Sequence, residues 1–428
     1  MSETLPEQEI RRSFALNVAN GALFNFAERL IDPPVILPRF VSNYTSSNLL
    51  IGLAGPLGTA GWLLPQIFVS TRVQRMPLKK PAYIFAAIVR TFAWLALSAT
   101  VWVIVDSPAL VLASFFGLYG LARLVSGIAG LSFFDITAKT VPARRRGSMF
   151  SLRQFIGGIL GLGAGWIVST VLNLPNVSPQ RGHAILFSAY CVVMIPALAA
   201  FIMVREPPGA IVPKPVNLQG QLRRAGGFLR QDVSYRRYLL TRLSLGLAGM
   251  ALPFYAVFAK EVLSAPARMG GLYVTTSVGA QMLANLLWGR LSDRLGNRLV
   301  MRLHSVGKGL SLALALILLS LTSRDGLSLQ VAYWPYLALP LYAIEGAVRP
   351  AEMLTGSNFL LELAPTEERP LYLGLSNTLM GVVVLLSGFG GIVVDISGYG
   401  GIYVLSLALC LAGYLLATGL PEPRRDIE

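Results

Sequence analysis

Charge is what this chain has least of. Of its 428 residues only 13% are Asp, Glu, Lys or Arg, about half the share of an ordinary soluble protein. That excludes a water-soluble enzyme of this length, a disordered chain and a secreted disulfide scaffold. Cysteine and histidine are equally scarce. Cys191 and Cys410 each sit in an apolar run, so no disulfide framework is indicated. His183 and His304 leave few residues for a zinc site, and no His/Cys metal cluster appears in the sequence. There is no Gly-x-x-x-x-Gly-Lys-Ser/Thr loop to cradle ATP phosphates, which argues against direct ATP coupling. No nucleophile elbow or other catalytic signature occurs, so neither enzyme activity nor a cofactor is expected.

Acidic residues are the rarer of the charged ones, 21 against 36 Lys and Arg, for a net charge of +15. Such an excess can mark a nucleic-acid partner. A polytopic membrane protein explains it better, because cytoplasmic loops collect Lys and Arg. What the chain does have is apolar sequence: 54% hydrophobic residues and a mean hydropathy of +0.61. A helix of about 20 apolar residues crosses a hydrocarbon core of about 30 Å. Twelve such stretches are expected, at about 14–40, 46–70, 82–105, 109–135, 149–173, 184–204, 238–262, 269–290, 300–321, 331–355, 371–394 and 400–420. The fold class is therefore all-α, a multi-pass membrane protein.

The loops give this count a test. With the N-terminal segment MSETLPEQEIRRS read as a cytoplasmic tail, 25 of the 36 basic residues fall on the cytoplasmic side and 5 on the outer side. That bias places both termini in the cytoplasm, and a cell membrane is the expected location. The longest polar stretch, 205–237, reads as a cytoplasmic linker between two halves, 1–204 and 238–428. Its basic second part has the character of an amphipathic surface helix. A faint repeat supports the division. VPARRRG (141–147) aligns with APTEERP (364–370), and STRVQR (70–75) with SDRLGN (292–297), at offsets of 223 and 222. REPP (205–208) closes one half and PEPR (421–424) the other. Repeated halves are common in secondary transporters.

Between spans 8 and 9 stands Gly289-Arg-Leu-Ser-Asp293-Arg294-Leu-Gly296-Asn-Arg298. This resembles the signature of the major facilitator superfamily: a Gly, then Asp-Arg, then Gly and basic residues in a short cytoplasmic loop. The resemblance extends along the chain, through twelve spans, two halves and a central basic loop. It implies two pseudo-symmetric six-helix bundles, and a loop whose contacts latch the outward-facing state. Asp293 can accept hydrogen bonds at a neighbouring helix N-terminus. Arg294 and Arg298 can pair with a carboxylate, with Glu362 the candidate; the other reading is a solvated basic loop that only sets topology. The first-half copy has Thr71 for Asp293 and Ile67 for Gly289, so Asp135 is the candidate gate acid there, seeking Arg72, Arg144 or Arg146. Span 4 carries Arg123-Leu-Val-Ser126-Gly127, similar to the superfamily's second motif, in which the resemblance links the Arg to proton coupling. In drug/proton antiporters of the superfamily, span 5 carries a glycine run with a following Pro. Gly157, Gly161 and Gly165 match the run, but Leu162 stands in the place of the Pro.

Span 1 is unusually polar. Asn17, Asn20, Asn25, Glu28 and Asp32 fall within one arc of about 140° at 100° per residue. A polar stripe on a membrane helix lines a water-filled path or packs inside the bundle. Glu28 is the first candidate for a protonatable group, with Arg123 its partner; the alternative is a permanent assembly pair with Arg29 or Arg123. Span 10 carries Glu345, Arg349 and Glu352 on one face. They read either as an internal salt-bridged stripe or as a second cavity wall with Glu345 the second proton candidate. Arg90, Lys308 and Arg242 are open between anchoring and cavity roles. The expected function is secondary active transport of a small molecule by alternating access, coupled to protons, in a chain that works as a monomer in the lipid bilayer. It would be either efflux of amphipathic compounds or uptake of a polar metabolite. The rivals are a membrane sensor or scaffold without flux and a polytopic lipid-modifying enzyme.

Overall fold

The computed structural model describes residues 6–74, 76–104, 106–208, 227, 229–322, 331–363 and 369–422. Among them every regular element is a helix. α1 is Glu7–Leu30, continued after a break by Ile36–Val41. α2 comprises Asn48–Ala54 and Pro56–Gln74. Then follow α3 Lys80–Val103, α4 Pro108–Thr140, α5 Ala143–Val171, α6 Pro179–Ile202, α7 Val233–Glu261, α8 Met269–Leu295 and α9 Asn297–Thr322. α10 is Leu339–Leu363, preceded by the 3-10 stretch Val331–Ala338. α11 is Arg369–Ser387, and α12 Gly390–Thr418 consists of two helical pieces that meet at a kink at Gly398 (φ +67°). Each expected span has a counterpart. Seven helices (α3 to α7, α9 and α12) are long and apolar enough to cross a membrane by length and composition. The others are shorter, broken or polar; α1, α8 and α10 carry many of the polar residues of the interior.

Spans 1, 2 and 10 were expected to be continuous and are not. In α1 the cause is Pro33-Pro34: proline has no N–H and disfavours helix in the residue before it. The backbone N–H groups of Val35 and Ile36 return to the Asp32 carbonyl, and the helix restarts. α7 has a matching interruption, the 3-10 turn Gly249–Ala251 just before Pro253. In α4 a π turn, Phe115–Tyr119, precedes Arg123 by one turn, a local shift of register often found near functional sites.

Helix pairing shows the repeat more clearly than the sequence does. In the first half α1 packs on α5 and α6, α4 on α2 and α3, and α3 on α6. In the second half α7 packs on α11 and α12, α10 on α8 and α9, and α9 on α12. The five pairs are the same after adding six to each helix number. The halves meet along two related seams, α5 with α8 and α2 with α11. Small residues allow the close approach. A Cβ on Gly165 of α5 would meet Gly271 and Thr275 of α8, and one on Gly381 of α11 would meet Leu63 and Leu64 of α2.

The short REPP and PEPR repeats have a mechanical counterpart. The Glu206 carboxylate accepts from the backbone N–H of Lys79 (2.8 Å) and Lys80 (2.7 Å), at the start of α3. It also holds the Lys139 ammonium of α4 at 2.8 Å. Glu422 does the equivalent for α9, accepting from the Arg298 backbone N–H at 3.1 Å. A carboxylate at a helix N-terminus satisfies orphan donors and complements the helix dipole. Glu422 thus caps the start of α9; the Asp293 side chain, the expected capping group, lies outside the described residues. So do residues 209–226 and 228 of the linker, residues 364–368 of the second repeat copy, Arg75, and the side chains of Ile67, Thr71, Arg72 and Arg144. Gly296 ends α8 at φ +83°, where a Cβ would strike the Glu422 carboxyl, so only glycine suits this stop.

Glu206→Ala should lower stability by about 2 kcal/mol, at the upper end of single-cap losses because an ion pair goes with it. Glu422→Ala should cost less. Melting of the two variants in detergent checks the order.

Candidate functional site

A cavity of about 460 Å³ starts at the α1 break and runs toward the end of the bundle that carries both chain termini, where Tyr83 and Phe134 line it. Its walls come from α1 to α6 and from one residue of the second half, Arg349 of α10. The α1 stripe faces it at helical spacing through Asn20, Phe24, Asn25, Glu28 and Asp32. Asn17 departs from the cavity. It is fully buried, donates to the Ser13 carbonyl at 2.9 Å and accepts from Thr137 at 3.2 Å, while Arg153 donates to its backbone carbonyl at 2.6 Å. Asn20 is buried against the Ala197 carbonyl at 2.7 Å, and Asn25 donates to Gln154 at 2.9 Å.

Glu28 sits between two guanidiniums. Its Oε1 takes Arg90 of α3 at 2.8 Å and its Oε2 takes Arg123 of α4 at 2.8 Å. The Tyr190 hydroxyl of α6 donates to Oε1 at 3.4 Å and accepts from Arg90 at 2.6 Å. Arg90 lies over the Phe24 ring (4.6 Å) and Arg123 over Tyr119 (5.0 Å), which adds a cation–π contribution to each. Glycines let α4 come close enough: a Cβ on Gly61 would stand 2.8 Å from the Arg123 side chain, and one on Gly127 would meet the Trp62 carbonyl. The pairing with Arg123 follows the sequence reading. The equal bond to Arg90 and the part of Tyr190 were not legible, because they depend on how α3 and α6 are rotated. Asp32 pairs with Arg29 at 2.9 Å, and Arg29 reaches across to Gln281 of α8 at 2.6 Å.

The second half keeps its charges in a separate pocket of about 60 Å³, shared with Asp32 and with Arg349 on the common wall. Glu345 therefore lies behind the central cavity rather than in it. It accepts from the Ser311 hydroxyl of α9, which also meets Tyr255 of α7 at 3.3 Å. Lys308 is buried, donates to the Leu245 carbonyl at 3.2 Å and stands 4.0 Å from the Glu352 carboxylate.

Among the described residues, the gate residues make their contacts within their own halves. Asp135 pairs with Lys139, four residues on, at 2.6 Å. Arg146, one of the partners expected for it, donates instead to the carbonyls of Val141 (2.9 Å) and Ala138 (2.6 Å). Glu362 accepts from Asn297 at 3.0 Å, while Arg298 donates to the Thr418 carbonyl of α12 rather than reaching Glu362. Arg294 is exposed, and a Cβ on Gly289 would meet open space. Among the described residues, the hydrogen bonds that join the halves lie at the α1 break or beyond it, away from the termini. Besides Arg29 with Gln281, they are Arg39 to the Ala265 carbonyl (2.6 Å), Lys260 to Ser42 (2.9 Å) and Asn43 (3.1 Å), and Asn48 to Asp395 (2.8 Å). The cavity is thus sealed at the end opposite the termini. Among the described residues no three His, Cys, Asp or Glu gather to hold a metal.

Two bundles with the same internal pairing, closed at one end around a charged cavity, are an architecture suited to alternating access across a membrane. Residues 237–428 match the family model of the Major Facilitator Superfamily. Solved structures match along almost the whole chain. A D-xylose–proton symporter has a TM-score of 0.73 at 16% identity, covering 97% of this chain and 99% of its own. A variant of the nucleoside transporter NupG has 0.70 at 14%, covering 95% and 98%. The xylose transporter XylE from E. coli, in a partially occluded inward open conformation, has 0.68 at 15%, covering 98% and 99%. No curated protein matches in sequence. The second half thus matches this superfamily's model in sequence, and the whole chain shares the fold of these transporters.

Glu28→Ala strands two buried guanidiniums and should cost about 3–5 kcal/mol. The triple replacement Glu28→Leu, Arg90→Met and Arg123→Met should recover most of that loss. Melting temperatures in detergent check both statements; a triple variant no better than the single one would mean that packing, and not charge, holds the site.

Proposed function

We propose that the protein moves a small solute by alternating access, drawing on the proton gradient, with Glu345 as the carboxyl that takes and releases the proton. The observation that carries this is the contrast between the two interior acids. Glu28 is clamped by two guanidiniums at 2.8 Å. Protonating it would leave both cations buried without their counter-charge, which is expensive. Glu345 has a hydroxyl, Ser311, as its hydrogen-bond partner, and among the described residues no cation lies within 4.0 Å of it. It can exist charged or neutral without dismantling an ion pair. The groups that face it are Lys308 of α9, Tyr255 of α7, Arg349 and Glu352 of α10 and Cys410 of α12. The order of candidates read from the sequence is therefore reversed: Glu28 holds α1, α3 and α4 together, and Glu345 carries the proton.

The Lys and Arg bias supports a cytoplasmic location for both termini in a cell membrane. With that orientation the present conformation opens to the cytoplasm. Rocking of the halves about the two glycine seams, with release of Arg39, Lys260 and Asn48, would open the other face. The D-xylose–proton symporter among the similar folds fits a proton-driven reading of this chain.

Reconstituted vesicles holding a trapped pH dye test the proposal. Wild type, offered sugars, nucleosides and organic acids in turn, should move protons with one class of solute. Glu345→Gln should still exchange that labelled solute across the membrane but move no protons with it. Unchanged proton movement in Glu345→Gln would overturn the assignment.

A further inference from the structure

The charges around the central cavity do not balance. Its lining holds two acids, Glu28 and Asp32, and five arginines: Arg29, Arg90, Arg123, Arg153 and Arg349. Both acids are already committed, Glu28 to Arg90 and Arg123, Asp32 to Arg29. Arg153 donates to the Asn17 carbonyl and lies over Phe133 at 4.7 Å. Arg349 makes no hydrogen bond and no ion pair among the described residues, although it lines both the central cavity and the pocket of Glu345. Arg349 and Arg29 are like charges lining one cavity, so they repel each other. Arg349 belongs to the second half and Arg29 to the first, so the two cations face each other where the halves must close.

In the open state cavity water screens this repulsion. When the halves occlude, water leaves and the effective dielectric falls, so Arg349, which no acid contacts within ion-pair distance among the described residues, opposes closure against the Arg29–Asp32 pair. We infer that the solute supplies a counter-charge: the protein binds an organic acid as its carboxylate, bridged between Arg349 and Arg29. A guanidinium offers a planar fork that matches a carboxylate. The rest of the wall favours an organic body over a bare inorganic ion, since Phe24, Trp62, Tyr83 and Phe133 line it. A volume of about 460 Å³ lies in the range of small-molecule sites. The anion also explains why Arg349 stands one helical turn from Glu345. A carboxylate bound to Arg349 replaces the stabilisation that Arg349 gives a charged Glu345, so acid and proton enter together. The inference rests on the transporter reading of this cavity, and it narrows the solute to a charged one in place of a neutral amphipathic compound.

The test needs no gradient. Full-length protein in detergent at pH 7 is titrated with benzoate, 2-naphthoate and hexanoate, each beside its own amide, and read by calorimetry and by melting temperature. At least one carboxylate should bind, with its amide at least about tenfold weaker. Arg349→Gln should weaken the carboxylate by about tenfold or more, and Arg349→Lys should recover part of the loss. Amides that bind as well as their acids would overturn the inference. So would Arg349→Gln binding the acid like wild type, or a cooperatively melting protein that none of the acids stabilises. Failure of the proton reading is a separate result: the acid binds through Arg349, yet vesicles move no protons with it. Conversely, proton-driven movement of a neutral sugar by a cavity blind to carboxylates would leave the coupling standing and remove the anion.

Discussion

Placing charge inside a bundle surrounded by hydrocarbon is tolerated only where each charge finds a partner. The Glu28 cluster answers that constraint. One carboxylate on α1 receives a guanidinium from α3 and another from α4, and Tyr190 brings in α6. Four helices are thereby oriented about one point. The Pro33-Pro34 break lies next to it and sets Asp32 and Arg29 at the same depth. The cavity is the space left when these helices are held apart by side chains that cannot collapse onto one another.

The two halves repeat their backbone and not their charges. Lys308 stands on α9 where Arg90 stands on α3, and Glu345 on α10 where Arg123 stands on α4. The first half closes its charges into ion pairs, and Glu28 is central to them. The second half has no acid at the matching place on α7, and its carboxyl on α10 turns to a serine instead. The same architecture thus yields a rigid ionic clamp on one side and a carboxyl free to change its charge on the other. The proposed proton role of Glu345 rests on this difference. Arg349 joins the two, because it lines both spaces.

The conformation follows from where the halves touch. Glycine seams bring α5 against α8 and α2 against α11, and polar tethers close the end away from the termini. At the other end, among the described residues, Glu206, Glu422, Glu362 and Asp135 bond within their own half. The signature loop after α8 therefore acts here as helix punctuation: Gly296 stops α8 and Glu422 starts α9.

Much of this was legible without coordinates. Hydropathy and length require twelve apolar segments, because crossing a bilayer demands helices whose backbone groups are satisfied internally. The basic bias among loops, the 222–223 offset repeat and the polar face of α1 are one-dimensional patterns; the repeat has its counterpart in the helix pairing, and the polar face in the cavity lining. Partner choice is different in kind. Whether Glu28 meets Arg29, Arg90 or Arg123, whether Glu362 takes Arg298 or Asn297, and whether Asn17 faces water or protein all depend on helix rotation and depth. Those are decided by packing between segments far apart in the chain. The sequence alone determined the class of protein and the residues too polar to face lipid. Only the tertiary structure decided which of them neutralise one another and which, like Arg349, have no ion-pair partner among the described residues, because pairing needs contact within a few ångströms and the order of residues does not carry that distance.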